Sequence, residues 1–229
     1  MAWQPPEGMD EYLKQTELCD RDNEELQKKA KEIIKGAETP KEAALKIFYF
    51  VREEIPFGMD YPDAKASRTL KKGIGFCFTK TNLQIALLRA VGIPARCPYV
   101  HLPKELLKDI TPRFMYDRMP KVNGHCWCEC YLSDKWIACE TLNDKAMYEG
   151  VLRKGVFAKE QMPTIDWDGE TDLILCKPWI VKDVGAFPSL DDAMREASKR
   201  GEAMPPSNKL FGWFVIFLIN RRINKIRKG

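Results

Sequence analysis

The chain has 229 residues, close to the upper end of what one hydrophobic core serves, and its 45% apolar and 31% charged content excludes a disordered polymer. Its formal charge of +4 is carried by the C-terminus, where Arg221, Arg222, Lys225, Arg227 and Lys228 cluster, so the rest is near neutral and a nucleic-acid partner is not expected. Eight cysteines in a chain that opens MAWQPPEGMDEY, with no basic segment followed by an apolar one, point to reduced thiols and a cytoplasmic setting rather than a disulfide framework.

In chain order, residues 1–22 are polar, carry Pro5 and Pro6, and read as an arm or short helix. Residues 23–35 place Leu26, Ala30, Ile33 and Ile34 at helical spacing, and Gly36 ends the pattern. Thr39-Pro40-Lys41-Glu42 is a helix start in capping-box register, leading into Ala44, Ile47, Phe48 and Val51 before Pro56. Residues 56–75 read as a loop. The density of apolar side chains over 78–91 then predicts a helix buried on most sides. An extended run over 95–102 follows, and residues 103–124 form an inserted, partly helical segment that could act as a lid. Two strands are expected over 125–132 and 135–141, turning at Ser133-Asp134, followed by a helix over 144–152, a strand over 172–177 and a helix over 190–200. Helices first and strands later favour an α+β fold. The expected division is an arm at 1–22, a catalytic domain at 23–183 and an extension at 184–229.

The sharpest chemical feature is Gly73-Ile74-Gly75-Phe76-Cys77, directly ahead of the buried helix. Two glycines permit a tight turn, and a thiol in the first helical turn feels the positive end of the helix dipole, which favours thiolate. By itself, a cysteine at such a position is structural more often than not. Of the two histidines, His101 and His125, the second opens a strand and can face a helix-borne cysteine as its base. The hairpin then returns Glu140 to the neighbourhood of His125, where a carboxylate would orient the imidazole; Asp144 is the fallback. Cys126, Cys128 and Cys130 alternate, as small apolar filler on one strand face would.

ASRTLKKGIGFCFTKTNLQIALLRAVGIPAR, residues 66–96, resembles the transglutaminase-like superfamily, which places its nucleophile in G-x-C before a helix ending R-x-x-G-I-P-A-R. GHCWCECYLSDKWIACET, residues 124–141, is similar to the same family's H-x-W-x-E segment and the D-x-T that follows it. The resemblance implies a papain-like core, in which N-terminal helices and the Cys77 helix pack on an antiparallel sheet bearing His125 and Glu140. It also implies acyl transfer from a peptide or protein amide through a Cys77 thioester, ending on water (peptidase or amidase) or on an amine. The oxyanion would be held by the Cys77 amide and one further donor. No metal or cofactor is implied. Glu140 departs from the family, which has Asp there, and leaves open an inactive scaffold as the alternative. A zinc site built from the strand cysteines is disfavoured because their spacing is not that of paired knuckles.

The tail, LFGWFVIFLIN followed by RRINKIRKG, has two readings: an element docked on the body or on another subunit, or a peripheral contact with an anionic membrane interface. Its ten apolar residues at 210–219 are too few for the roughly 20 that a spanning helix needs.

Overall fold

The computed structural model describes residues 3–202 and 209–229. Helix α1 (Glu24–Ile33) starts where the Asn23 side chain accepts the amides of Glu25 and Leu26, and it buries Leu26 and Ala30. Helix α2 (Pro40–Glu53) starts as the sequence predicts, with the Thr39 hydroxyl accepting the Glu42 amide at 3.2 Å. The return bond reaches one residue further back than a capping box would place it: the Glu42 carboxylate accepts the Glu38 amide at 2.8 Å. Inside the expected loop lies helix α3 (Ala66–Lys72), closed by Gly73 at a φ of 68°. Seven residues without a side-chain cap leave too little periodicity to be read from sequence.

Helix α4 (Cys77–Ala90) is the centre of the molecule, packed against α1, α2 and α3 and against the sheet. Its polar side chains are buried along with its apolar ones, and all but the capping Thr79 find main-chain acceptors on different neighbours. Lys80 donates to Arg52 O, Thr81 to Cys126 O, Asn82 to Leu18 O and Gln84 to Cys139 O. Arg89 donates to the carbonyls of Lys14, Ala95 and Pro188. A buried polar group without such a partner would cost about 1–3 kcal/mol, so these bonds also fix where α4 sits.

The sheet is antiparallel throughout and organised on β1 (Ala95–Pro103). This strand pairs with β2 (Val122–Cys126), β3 (Glu129–Leu132) and β5 (Lys182–Phe187). Strands β3 and β4 (Lys135–Ala138) form the predicted hairpin, whose Ser133 and Asp134 have φ of 49° and 60°, the backbone that a two-residue turn of matching twist needs. The run expected as one strand over 125–132 is broken at Trp127 and Cys128, so that β2 begins inside the inserted segment and ends just after His125. The rest of that segment holds a 3-10 turn at Lys104–Leu107 and the short helix α5 (Arg113–Tyr116). No strand forms over 172–177: a single parallel bridge joins Leu173 to Cys139, and a 3-10 turn follows at Lys177–Trp179. Strand β5 was not anticipated, because KDVGAF contains a glycine and alternates weakly.

Helix α6 (Lys145–Arg153) is capped by Asp144, and α7 (Leu190–Lys199) by Ser189. The last helix, α8 (Lys209–Lys228), absorbs the whole apolar and basic tail. It buries Val215, Ile219, Ile223 and Ile226, and it crosses α6 so closely that a Cβ on Gly150 would fall 2.3 Å from Ile226 O. Asn220 exchanges hydrogen bonds with Met59 N and O at 2.7 and 3.0 Å. Hydrogen bonds also cross the boundaries expected at 22/23 and 183/184: Asp191 accepts from Thr16 and the Leu18 amide, and Arg89 reaches both Lys14 and Pro188.

Candidate active site

The turn before α4 is shaped by its two glycines for different reasons. Gly73 supplies a left-handed φ, whereas a Cβ on Gly75 would lie 2.8 Å from Thr79 Oγ1 and 3.0 Å from Lys80 Cγ. The Thr79 hydroxyl accepts the Phe76 amide at 3.0 Å and caps the helix, leaving Cys77 as its first residue. Of the eight cysteines, seven are buried and Cys77 alone keeps partial exposure.

His125 lies on β2 beyond Gly124, where any Cβ would fall 1.9 Å from Tyr99 Oη. The Cys77 sulfur lies beside the His125 ring, close enough for each to shift the ionisation of the other. The Nε2 is 2.8 Å from Glu140 Oε1, and both side chains are buried. With Nε2–H donated to the carboxylate, the neutral ring carries its lone pair on Nδ1, the nitrogen able to take a thiol proton. Glu140 is itself held: its second oxygen, Oε2, accepts the Leu175 amide at 2.5 Å and the Cys176 amide at 3.4 Å. His101 is not part of the group; it pairs with Glu202 at 2.8 Å.

One face of α4 sets all three positions. Thr81, four residues after Cys77, donates to the carbonyl of Cys126, next to His125. Gln84, three residues further, donates to Cys139 O at 3.0 Å and accepts from Thr141 Oγ1 at 3.0 Å, bracketing Glu140.

A family model described as the transglutaminase-like superfamily matches residues 27–141, half of the chain. The chain belongs to that superfamily. A proposed cysteine protease from Cytophaga hutchinsonii has a similar fold, with a TM-score of 0.53 and 18% identity over 82% of this chain and 50% of the other, so this chain spans half of that protein's length. Weaker likenesses are a proposed protease from Parabacteroides distasonis (TM-score 0.38, 12% identity, 56% of this chain and 24% of the other) and red sea bream transglutaminase (0.37, 16%, 73% and 28%). A comparison with curated proteins returned no match.

Within this transglutaminase-like core, burial pushes the Cys77 thiol above its usual value, outweighing the charge and hydrogen bond of His125 and the Phe78 amide, which pull it down. Desolvation of the sulfur thus opposes the pull toward thiolate that the helix terminus and the imidazole exert. Burial works against a charge on His125 as well, but the Cys176 sulfur, the Glu140 carboxylate and the Cys77 sulfur beside it outweigh that and hold the imidazole well above its usual value.

Asp144, the fallback carboxylate, is engaged elsewhere. It caps α6 through Met147 N, accepts the Phe57 amide at 2.8 Å and pairs with Arg227 of α8 at 2.8 Å. Cys176 was missed by sequence reasoning, since it stands alone some 50 residues past His125 with no motif around it. Its thiol is pushed up to about 11, chiefly by burial. Among the described residues, the donor atoms of His125, Glu140 and Cys176 lie within 4.8 Å of one another, close enough to hold a metal ion. Cys128, Cys130 and Cys139 pack in the core, with Cys139 Sγ 3.3 Å from Cys128 O and 3.9 Å from Cys130 Sγ.

Lys80 is one of the costly buried groups on α4. Burial lowers its pKa from 10.5 to about 7, against the pull of Asp144 and Glu53. Since the fold favours the neutral amine, the cost is fully present below about pH 7 and fades as pH rises to 10.5. At about 1.4 kcal/mol per pK unit the ceiling is near 5 kcal/mol, and relaxation around the ammonium reduces it. Lys80→Met is therefore expected to raise stability to urea by ~2 kcal/mol in mildly acidic buffer. That gain should shrink at alkaline pH, and a pH-independent difference would mean the ammonium is solvated.

Proposed function

We propose that this chain is a thiol acyl hydrolase, a peptidase or amidase, with Cys77 as nucleophile, His125 as base and acid, and Glu140 as the residue that orients His125. The observation carrying this reading is that the one partly exposed cysteine adjoins an imidazole whose far nitrogen is fixed by a buried carboxylate. The likeness to the proposed Cytophaga cysteine protease agrees with it.

In this reading Cys77 gives its proton to His125 and its sulfur attacks the amide carbonyl carbon. The resulting oxyanion faces the Cys77 amide, which as the first of the helix has no intrahelical acceptor. His125 then protonates the departing nitrogen as the C–N bond breaks, leaving a thioester. Water, deprotonated by the same imidazole, attacks that carbonyl, releases the carboxylic acid and restores the thiol. Glu140 keeps the proton on Nε2 in the resting tautomer and stabilises the imidazolium that forms twice per cycle.

Alkylation by iodoacetamide, followed by mass spectrometry, tests the pair. Cys77 should label first among the eight cysteines, and its rate should rise with pH. His125→Ala should move that rise to higher pH, because the imidazolium that lowers the thiol pKa is lost. Labelling of Cys77 no faster than the buried Cys19 or Cys97 in folded protein would leave the assignment without a nucleophile.

A further inference from the structure

Helix α8 docks on the body by one side only. Its opposite side carries Trp213, Phe214 and Phe217, which are 65%, 48% and 51% exposed and make up half of the exposed large apolar side chains among the described residues. Trp213 stacks on Phe217 with ring centroids 6.1 Å apart, so the aromatics form one surface rather than isolated projections. Further along the same exposed side come Arg221, Lys225 and Lys228, with Arg222 on the flank of the helix. The helix contains no acidic residue at all.

Two open grooves flank this side. One runs between Phe217, Arg221 and Lys225, with Lys154 on its far wall. The other joins Arg222 and Lys225 to Phe114 and Arg113 of the inserted segment, and Asp109 is the acidic side chain on its lining. Phe114, on this second groove, is itself 47% exposed. Among the described residues these basic side chains have no ion-pair partner, whereas Arg227 is held by Asp144 and Phe57 O and keeps the helix down.

We propose that this side of α8 is a docking surface for an anionic phospholipid bilayer, with Trp213, Phe214 and Phe217 entering the headgroup boundary and the adjoining basic side chains meeting lipid phosphates. Charge complementarity selects this occupant: an apolar protein partner would be served by the aromatics alone, but not by the four cations beside them. Aromatic and basic side chains on one helix side are what an interfacial helix presents. No helix among the described residues is long and apolar enough to cross a membrane, so the contact is peripheral. The docked and the membrane-facing readings of the tail thus apply to opposite sides of one helix. The inference is independent of the thiol chemistry.

The test is co-sedimentation of the full chain with vesicles of phosphatidylcholine alone and of phosphatidylcholine mixed with phosphatidylglycerol. Binding is expected to the mixed vesicles and to fall in high salt. Arg221→Glu, Arg222→Glu and Lys225→Glu together should weaken it about a hundred-fold, since each basic residue contributes roughly five-fold. Trp213→Ser with Phe217→Ser should also weaken it, and because these side chains are exposed, both variants should keep the parent unfolding temperature. The proposal is overturned by absence of binding to the mixed vesicles at low salt, or by equal binding of either variant. It is also overturned by light scattering that shows a dimer broken by Trp213→Ser and Phe217→Ser, which would assign the surface to a second copy.

Discussion

Cys77→Ala should abolish turnover of any amide the protein hydrolyses, by about ten-thousand-fold or more, while leaving thermal stability nearly unchanged. The residue is partly exposed and its side chain holds no element together, so removing the sulfur takes away the nucleophile and little else. His125→Ala should cost about as much, and the double variant no more than either single one, because nucleophile and base act as one unit. Glu140→Gln separates orientation from chemistry. An amide keeps the size of the side chain but removes the charge that raises the His125 pKa. The rate should fall by about a hundred- to ten-thousand-fold, and the ascending limb of kcat/KM against pH should move to lower pH. The sign follows from the carboxylate favouring imidazolium: without it, the neutral base is present at lower pH. A loss of rate with an unmoved limb would mean that Glu140 acts on packing alone.

The largest effect on stability is expected at Arg89. Its guanidinium is buried in α4 and donates to carbonyls from three separate stretches, Lys14 before α1, Ala95 at the start of β1 and Pro188 ahead of α7. Arg89→Met fills a similar volume and removes a charge that is costly to bury. It also takes the donor from the buried Ala95 carbonyl, worth about 1–3 kcal/mol, and from the less buried carbonyls of Lys14 and Pro188. The second effect wins, and the variant should lose about 3–5 kcal/mol, or roughly 10 °C in unfolding temperature for a chain of this size. Arg89→Lys should recover only part of that, since one ammonium cannot reach three acceptors spread around a planar fork. Equilibrium urea unfolding followed by tryptophan fluorescence measures both.

The fold and the catalytic candidates were legible in unequal measure. Helices α2 and α4 could be read because each has a distinct start and enough turns to show its pattern, and the helix-then-strand order carried the α+β class. Cys77 and His125 stood out because glycines shape the chain just before each of them, for reasons of space that the structure makes visible at Gly75 and Gly124. Glu140 could be preferred to Asp144 because the hairpin returns it toward His125, but what holds each carboxylate was not legible: the partners lie far along the chain, the amides of Leu175 and Cys176 for the first and Arg227 for the second. Helix α3 and strand β5 were hidden for a related reason, as short elements owe their form to neighbours more than to their own pattern. The tail looked divided into apolar and basic halves because sequence shows order along the helix, while burial follows its circumference.

The ties from Thr81 and Gln84 have a consequence for how the gene can change. Cys77, Thr81 and Gln84 stay on one face only while the helix keeps its count, and a residue inserted between them would turn the later two by about 100°. The sulfur would then be out of phase with both strands at once, so this stretch should admit substitutions but no change of length. The connection between β1 and β2, which closes through a single bond from the Lys104 amide to Lys121 O, carries no such phase. Insertions and deletions among relatives should collect there, where a longer or shorter loop leaves the spacing of sulfur, imidazole and carboxylate untouched.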